Sequence, residues 1–162
     1  MKKIIFILIF LNISACSGYK PIFSSSNLEF KLNDYSISGD KKIGNQIYSK
    51  LYNVSKTTEK SPNAKNISIL INSKKNKNPT SKDKAGKVLS YKIDIIVNII
   101  VRDLVTNNKI LSENFNSSLS YKVQAQHSET IRLENKSIEN IVDRIYQDFI
   151  IKLSESFLEN DS

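Results

Sequence analysis

Between Leu89 and Val101 every odd position is Leu, Tyr, Ile or Val, and most even positions are Ser, Lys, Asp or Asn. Apolar side chains at a period of two line one face of an extended chain, so this stretch is a strand with one face in a core. The return stretch repeats the pattern, with Leu111, Phe115, Leu119, Tyr121 and Val123 on odd positions against Ser112, Asn114, Asn116, Ser118 and Ser120. Between them, Val105-Thr106-Asn107-Asn108-Lys109 reads as a tight turn, because asparagine tolerates the left-handed backbone that such turns demand. The two strands therefore form a long hairpin. A sheet that is apolar on one face needs a second layer to cover it.

Two stretches with helical period supply that layer. Ile43, Ile47, Leu51 and Val54 recur at spacings of four, four and three, with Asp40 placed to cap the helix they form. From about Thr130, the positions Ile138, Ile141, Val142, Ile145, Phe149, Leu153 and Phe157 make a second apolar stripe, predicting a helix of roughly 20 to 28 residues. Upstream, Leu28, Phe30 and Leu32 alternate with polar residues, and Tyr35 and Ile37 continue on the opposite parity. This predicts one strand with a bulge or a bend near Asn33-Asp34, closed by the turn Gly39-Asp40. After a polar loop through Pro62, Ile67, Ile69 and Ile71 mark a short strand that runs into a lysine-rich, turn-rich loop over residues 73–87. The order is β-α-β-β-β-α. The predicted fold is an α+β two-layer sandwich, a four-stranded mixed sheet with two helices on one face. Its other face, carrying Ile96 and Ile100 among polar groups, is left for water or a partner.

The first sixteen residues have a different character. Lys2 and Lys3 precede an unbroken apolar run over residues 4–11, followed by Ile13-Ser14-Ala15-Cys16. That order of charge, apolar segment and small residues is the pattern of a secretory signal peptide, and the run is about half the roughly 20 residues a membrane span needs. Residues 13–16 resemble a bacterial lipobox, which implies cleavage before Cys16 and acylation of that cysteine. One acyl chain binds a membrane reversibly, whereas two or three hold. The alternative is an ordinary signal peptide beside an incidental cysteine, but Cys16 sits at the cleavage point and is the only cysteine in the chain. Ser17 resembles the residues that permit sorting to an outer membrane. The expected organisation is a signal peptide over residues 1–15, a lipid-anchored tether over 16–26 and one domain over 27–160.

Charge and chemistry narrow the function. The chain carries 24 Lys plus Arg against 16 Asp plus Glu, a net of +8. A basic surface points to anionic partners, although the excess is nearly all lysine and only Arg102, Arg132 and Arg144 are arginines. The lysines between Lys74 and Lys87 have two readings, a solvated loop or contact with phosphorylated or acidic glycans. Nucleic acid is disfavoured, because an exported domain does not normally meet it and aromatic residues do not interleave with these lysines. His127, the only histidine, lies in a polar stretch that reads as a surface loop, with no cysteine or second histidine to complete a metal site. Ser128 and Glu129 beside it lack any nucleophile-elbow or oxyanion motif, and no glycine-rich phosphate loop exists. The chain thus reads as a binding protein, without catalytic residues, metal or cofactor.

Cys16 followed by Gly18-Tyr19-Lys20-Pro21-Ile22-Phe23 resembles the opening of the LPS-assembly lipoprotein LptE family, here with Ser17 inserted after the cysteine. Residues 80–91, the hairpin with Asp103 at its end, Ser120-Tyr121, and Glu129 leading into the last helix follow in the order of that family. The resemblance implies an outer-membrane lipoprotein, its domain facing the periplasm and plugging the lumen of an LptD-type β-barrel. There it would assist barrel assembly and lipopolysaccharide delivery to the cell surface. Lys82, Lys84 and Lys87 are the candidates for ligand contact. The runner-up is the auxiliary lipoprotein of an ABC-type lipid transport system, and a third reading, a periplasmic enzyme, would have to use His127.

Overall fold

The computed structural model describes residues 28–58 and 61–159. The expected signal peptide, the tether and Cys16 lie outside the described residues. Six elements follow in the expected order: β1 (Phe30–Gly39), α1 (Lys41–Thr58), β2 (Lys65–Lys82), β3 (Val88–Asp103), β4 (Lys109–Lys122) and α2 (His127–Glu159). The four strands lie in the sheet in chain order, with β1 parallel to β2 and the other neighbours antiparallel. This is the α+β fold the hydrophobic periodicity predicts.

Both helices lie on one face of the sheet, α1 over β1 and α2 over β4. One core results. It takes Ile67, Ile69 and Ile71 from β2, Ile93 to Val101 on the odd positions of β3, Phe115 from β4, Ile43, Ile47 and Leu51 from α1, and Ile141, Ile145 and Phe149 from α2. Phe149 is fully buried and meets Phe115 edge to face, with ring centroids 6.0 Å apart.

Local chemistry sets the boundaries. The register of β1 on β2 slips between Leu32 and Asp34, the bulge that the change of parity predicts. At the end of β1 the backbone of Gly39 is left-handed (φ 76°), and a Cβ there would lie 2.0 Å from the carbonyl oxygen of Ser73. Only glycine permits that approach, which lets the Asp40 amide donate to the Ser73 carbonyl at 2.7 Å while the Ser73 hydroxyl donates back to the Asp40 carbonyl at 2.8 Å. Asp40 then caps α1, its Oδ1 accepting the amides of Lys42 (3.2 Å) and Ile43 (3.3 Å). The last turn of α1 reaches back to β1: Ser55 Oγ accepts the Leu32 amide at 2.9 Å, and Thr58 Oγ1 donates to the Phe30 carbonyl at 2.8 Å. Asn107 takes the left-handed conformation (φ 58°) in the β3–β4 turn, as expected of that asparagine pair.

Three expectations need correction. The lysine-rich segment after Ser73 is a strand as far as Lys82, paired residue by residue with β3, and the turn comprises only residues 83–87. Lys, Asn and Pro disfavour central strands, but β1 ends opposite Ser73, so this half of β2 is an edge, where those residues are tolerated. The last helix begins at His127 and runs for 33 residues, so His127 lies in its first turn and not in a loop. Its polar first turns carry no apolar stripe for a periodicity to detect. Leu89, expected in the core, is 45% exposed: it lies at the start of β3, beyond the Tyr91–Tyr121 pair that the first turns of α2 cover.

Candidate functional site

The sheet face turned away from the helices is built from the even positions of β2, β3 and β4. Because the register is continuous, identical or similar side chains fall in rows across it. Asn72, Asn98 and Asn114 form one row, with Asn98 Nδ2 donating to Asn114 Oδ1 at 3.0 Å. Asn76, Asp94 and Ser118 form another, and Lys92 pairs with Asp94 at 2.8 Å. Apolar groups are few: Ile96 and Leu70, 44% and 42% exposed, and Ile100 opposite Leu70. The face is a flat array of amides and hydroxyls with donors and acceptors free to meet water or a polar partner.

At the far end of the sheet, Asp83 organises the β2–β3 turn. Its amide donates to the Lys87 carbonyl at 2.9 Å, and its Oδ1 accepts the amides of Ala85 and Lys87, each at 2.9 Å. Gly86 is left-handed here (φ 84°). The turn brings Lys82, Lys84 and Lys87 to one exposed tip. Only Lys87 of the three also lines the adjoining groove, a space of about 350 Å³ between the hairpin and the start of α2 that includes Lys77, Tyr91, His127, Thr130 and Glu134.

At the floor of that groove is a network that the sequence did not reveal. Lys77 Nζ lies 2.6 Å from Glu134 Oε2, 4.4 Å from the ring centre of Tyr91 and 5.7 Å from that of Tyr121. The Tyr121 hydroxyl donates to the same Glu134 oxygen at 2.8 Å. The one available signal was parity: Lys77 continues the odd positions of Ile67, Ile69 and Ile71, so a strand reading of this segment places it on the helix side. Partial burial pushes the Glu134 carboxyl up, but the hydrogen bonds from Lys77 and Tyr121 and the charges of Lys77 and Lys75 outweigh burial and hold it below the ordinary carboxylate value of 4.5. For Lys77, burial acts downward, and the bonds to Glu134 and Tyr121 more than reverse it, leaving the ammonium above its ordinary value.

A depressed carboxyl pKa stabilises the fold above the unfolded value and loses that contribution as pH falls through the folded value. The contribution of Glu134 is therefore complete above about pH 4.5 and declines in more acidic solution. A Glu134→Gln variant should be less stable than the parent at pH 7, with the gap closing as pH falls below 4. Thermal melts of both proteins across that range check it, and a gap constant with pH would contradict it.

A second concavity, about 650 Å³, runs between α1 and α2 and is bridged by Lys50 and Asp143 at 2.8 Å. Lys42 and Glu139 also line it, so its walls carry both signs of charge and select for neither. Among the described residues, no three histidine, cysteine, aspartate or glutamate side chains converge to hold a metal, and no helix is long and apolar enough to cross a membrane.

A four-stranded sheet in chain order with two helices on one face is a fold this chain shares with small bacterial lipoproteins of solved structure. The rare lipoprotein B of Shewanella oneidensis superposes with a TM-score of 0.52 at 15% identity, over 79% of this chain and 98% of that one. For an uncharacterized lipoprotein B from Nitrosomonas europaea the TM-score is 0.55 at 17% identity, covering 77% and 84%. A minor lipoprotein from Acinetobacter baumannii gives 0.53 at 15%, covering 78% and 93%. At these identities the likeness is one of fold. No protein-family model and no curated protein matches the sequence.

Proposed function

We propose that this chain is a lipoprotein of a bacterial outer membrane, anchored through Cys16, whose α+β domain plugs the lumen of an LptD-type β-barrel and takes part in lipopolysaccharide transport to the cell surface. It acts by binding and not by catalysis. The observation that carries this reading is the open sheet face, rows of asparagine and serine on a fold shared with rare lipoprotein B. The interior wall of a large membrane barrel is polar and wet, and a flat array of amides and hydroxyls can exchange its water for such a wall group by group. An apolar face of the same size would instead dock on a dry surface. The exposed lysines at the hairpin tip complement the phosphates and acidic sugars of lipopolysaccharide, since flexible ammonium groups adapt to several anionic oxygens.

The deciding experiment is a pull-down of the tagged full-length protein from native membranes in mild detergent, with mass spectrometry of what survives stringent washing. A stoichiometric outer-membrane β-barrel supports the plug reading. Recovery of inner-membrane transporter components instead would replace it with the auxiliary-lipoprotein reading. For the ligand, replacing Lys82, Lys84 and Lys87 together by alanine should weaken binding of purified lipopolysaccharide by about tenfold, equivalent to roughly 1.4 kcal/mol. Unchanged binding would remove all three from the site.

A further inference from the structure

The sheet has a step in it. β1 pairs with β2 only as far as Gly39 opposite Ser73, then leaves the sheet plane through the left-handed glycine to begin α1. β2 continues to Lys82 with β3 on one side. On the other side, residues 74–82 have no neighbouring strand among the described residues.

Which backbone groups point into that gap follows from bonds at both ends of the sheet. The Ser73 carbonyl accepts from Asp40, and the Lys65 amide donates to Glu29, so odd residues of β2 turn their amides and carbonyls toward the β1 side. Consistently, the Asn66 carbonyl accepts from Leu104, and the Leu89 carbonyl accepts from Val123, which places even residues of β2 toward β3 and odd residues of β3 toward β4. An antiparallel strand alternates strictly in this respect. Lys75 and Lys77 therefore each present an amide and a carbonyl to the gap. Pro79, the next odd residue, sits where its missing N–H costs no ladder bond, which is the edge position proline requires.

The upper edge of β1 is guarded differently, because Ser55 and Thr58 of α1 already satisfy the backbone at Leu32 and Phe30. At the β2 edge the guards are charges: Lys74 and Lys82 stand along it with Lys84 just beyond, while Lys75 lies 3.7 Å from Asp40 and Lys77 is turned in to Glu134. Lysines on an edge stop two copies of a chain from pairing, since each would place its ammonium groups against the other's. The same row attracts a strand of opposite charge. A device that repels self and attracts an acidic segment is a specificity filter.

We propose that the edge of β2 beyond Ser73 takes up an extended acidic segment of a partner protein, which adds a strand in line with β1 and completes the fourth strand along the far half of the sheet. Backbone bonds at Lys75 and Lys77 supply register, and the exposed ammonium groups of Lys74, Lys82 and Lys84 select for carboxylates. None of this depends on the domain occupying a barrel.

Amide hydrogen exchange of the isotope-labelled full-length protein in detergent micelles tests it, residue by residue. The probe is a capped hexapeptide alternating glutamate and valine at millimolar concentration. Exchange at the Lys75 and Lys77 amides, which face solvent in the free protein, should slow by about tenfold, while Lys74, Asn76 and Asn78, already turned toward β3, should not change. The same peptide carrying N-methyl groups on alternate residues, and a version with lysine in place of glutamate, should both leave exchange unaltered. Absence of slowing with the first peptide, or equal slowing with either of the others, would overturn the assignment.

Discussion

Replacing Phe149 by alanine should cost the domain about 3 to 5 kcal/mol of stability, a large part of the roughly 5 to 15 kcal/mol available to a protein of this size. The ring is fully buried at the middle of α2, and it is the point where that helix meets the sheet, edge to face with Phe115. Removing it deletes the transfer free energy of the ring and leaves a cavity in a core rich in isoleucine, whose branched side chains do not readily reorient to fill space. It also abolishes the aromatic pair. Urea denaturation followed by circular dichroism should show the midpoint falling with an unchanged slope, which is the signature of lost stability in an intact fold. A Phe149→Leu control should recover more than half of the loss. A cost below about 1 kcal/mol for the alanine variant would mean that α2 is held elsewhere.

Cys16→Ala should abolish lipid attachment and, in cells that lack the proposed barrel partner, membrane retention. The expected anchor is two or three acyl chains, and each buried methylene is worth about 0.8 kcal/mol, so without a protein partner in the membrane nothing else in the domain is expected to hold it there. Labelled palmitate should be incorporated into the parent protein and not into the variant, and without the barrel partner the variant should fractionate with soluble periplasmic proteins. Continued incorporation of label would place the anchor at another residue. The core of the described residues is built from Leu28 to Phe157, and the variant should melt at the temperature of the parent, which separates loss of attachment from loss of fold.

The fold was legible where burial imposed a period. The odd positions of β3 and the stripe of α1 announce themselves because each must place every apolar side chain on one face, and the sheet could then be assembled from its parts. The far half of β2 was not legible for the same physical reason. Its composition answers to an exposed edge, where lysine and proline protect the strand from pairing, so Lys74 to Pro79 look like a loop when read alone. Pairing with β3 makes it a strand, and pairing is not a local property. The first turns of α2 were hidden for a related reason: what they bury is Thr130, a polar residue that an apolar periodicity does not register. The network of Lys77, Tyr91, Tyr121 and Glu134 assembles four elements, one residue from each of β2, β3, β4 and α2, and only their packing brings them together. By contrast, Lys82, Lys84 and Lys87 were legible as a cluster because a single turn carries them.

The parallel pairing of β1 with β2 has a kinetic side. The meander β2–β3–β4 joins neighbours through short turns, whereas Phe30 meets Lys65 only after the whole of α1 has been laid between them. Closing a longer span costs more chain entropy before any contact repays it, so the meander can nucleate by itself while β1 waits for its helix. The Ser55 and Thr58 bonds then act as a clasp: strand and helix dock as one unit, and β1 is the last strand of the sheet to be fixed.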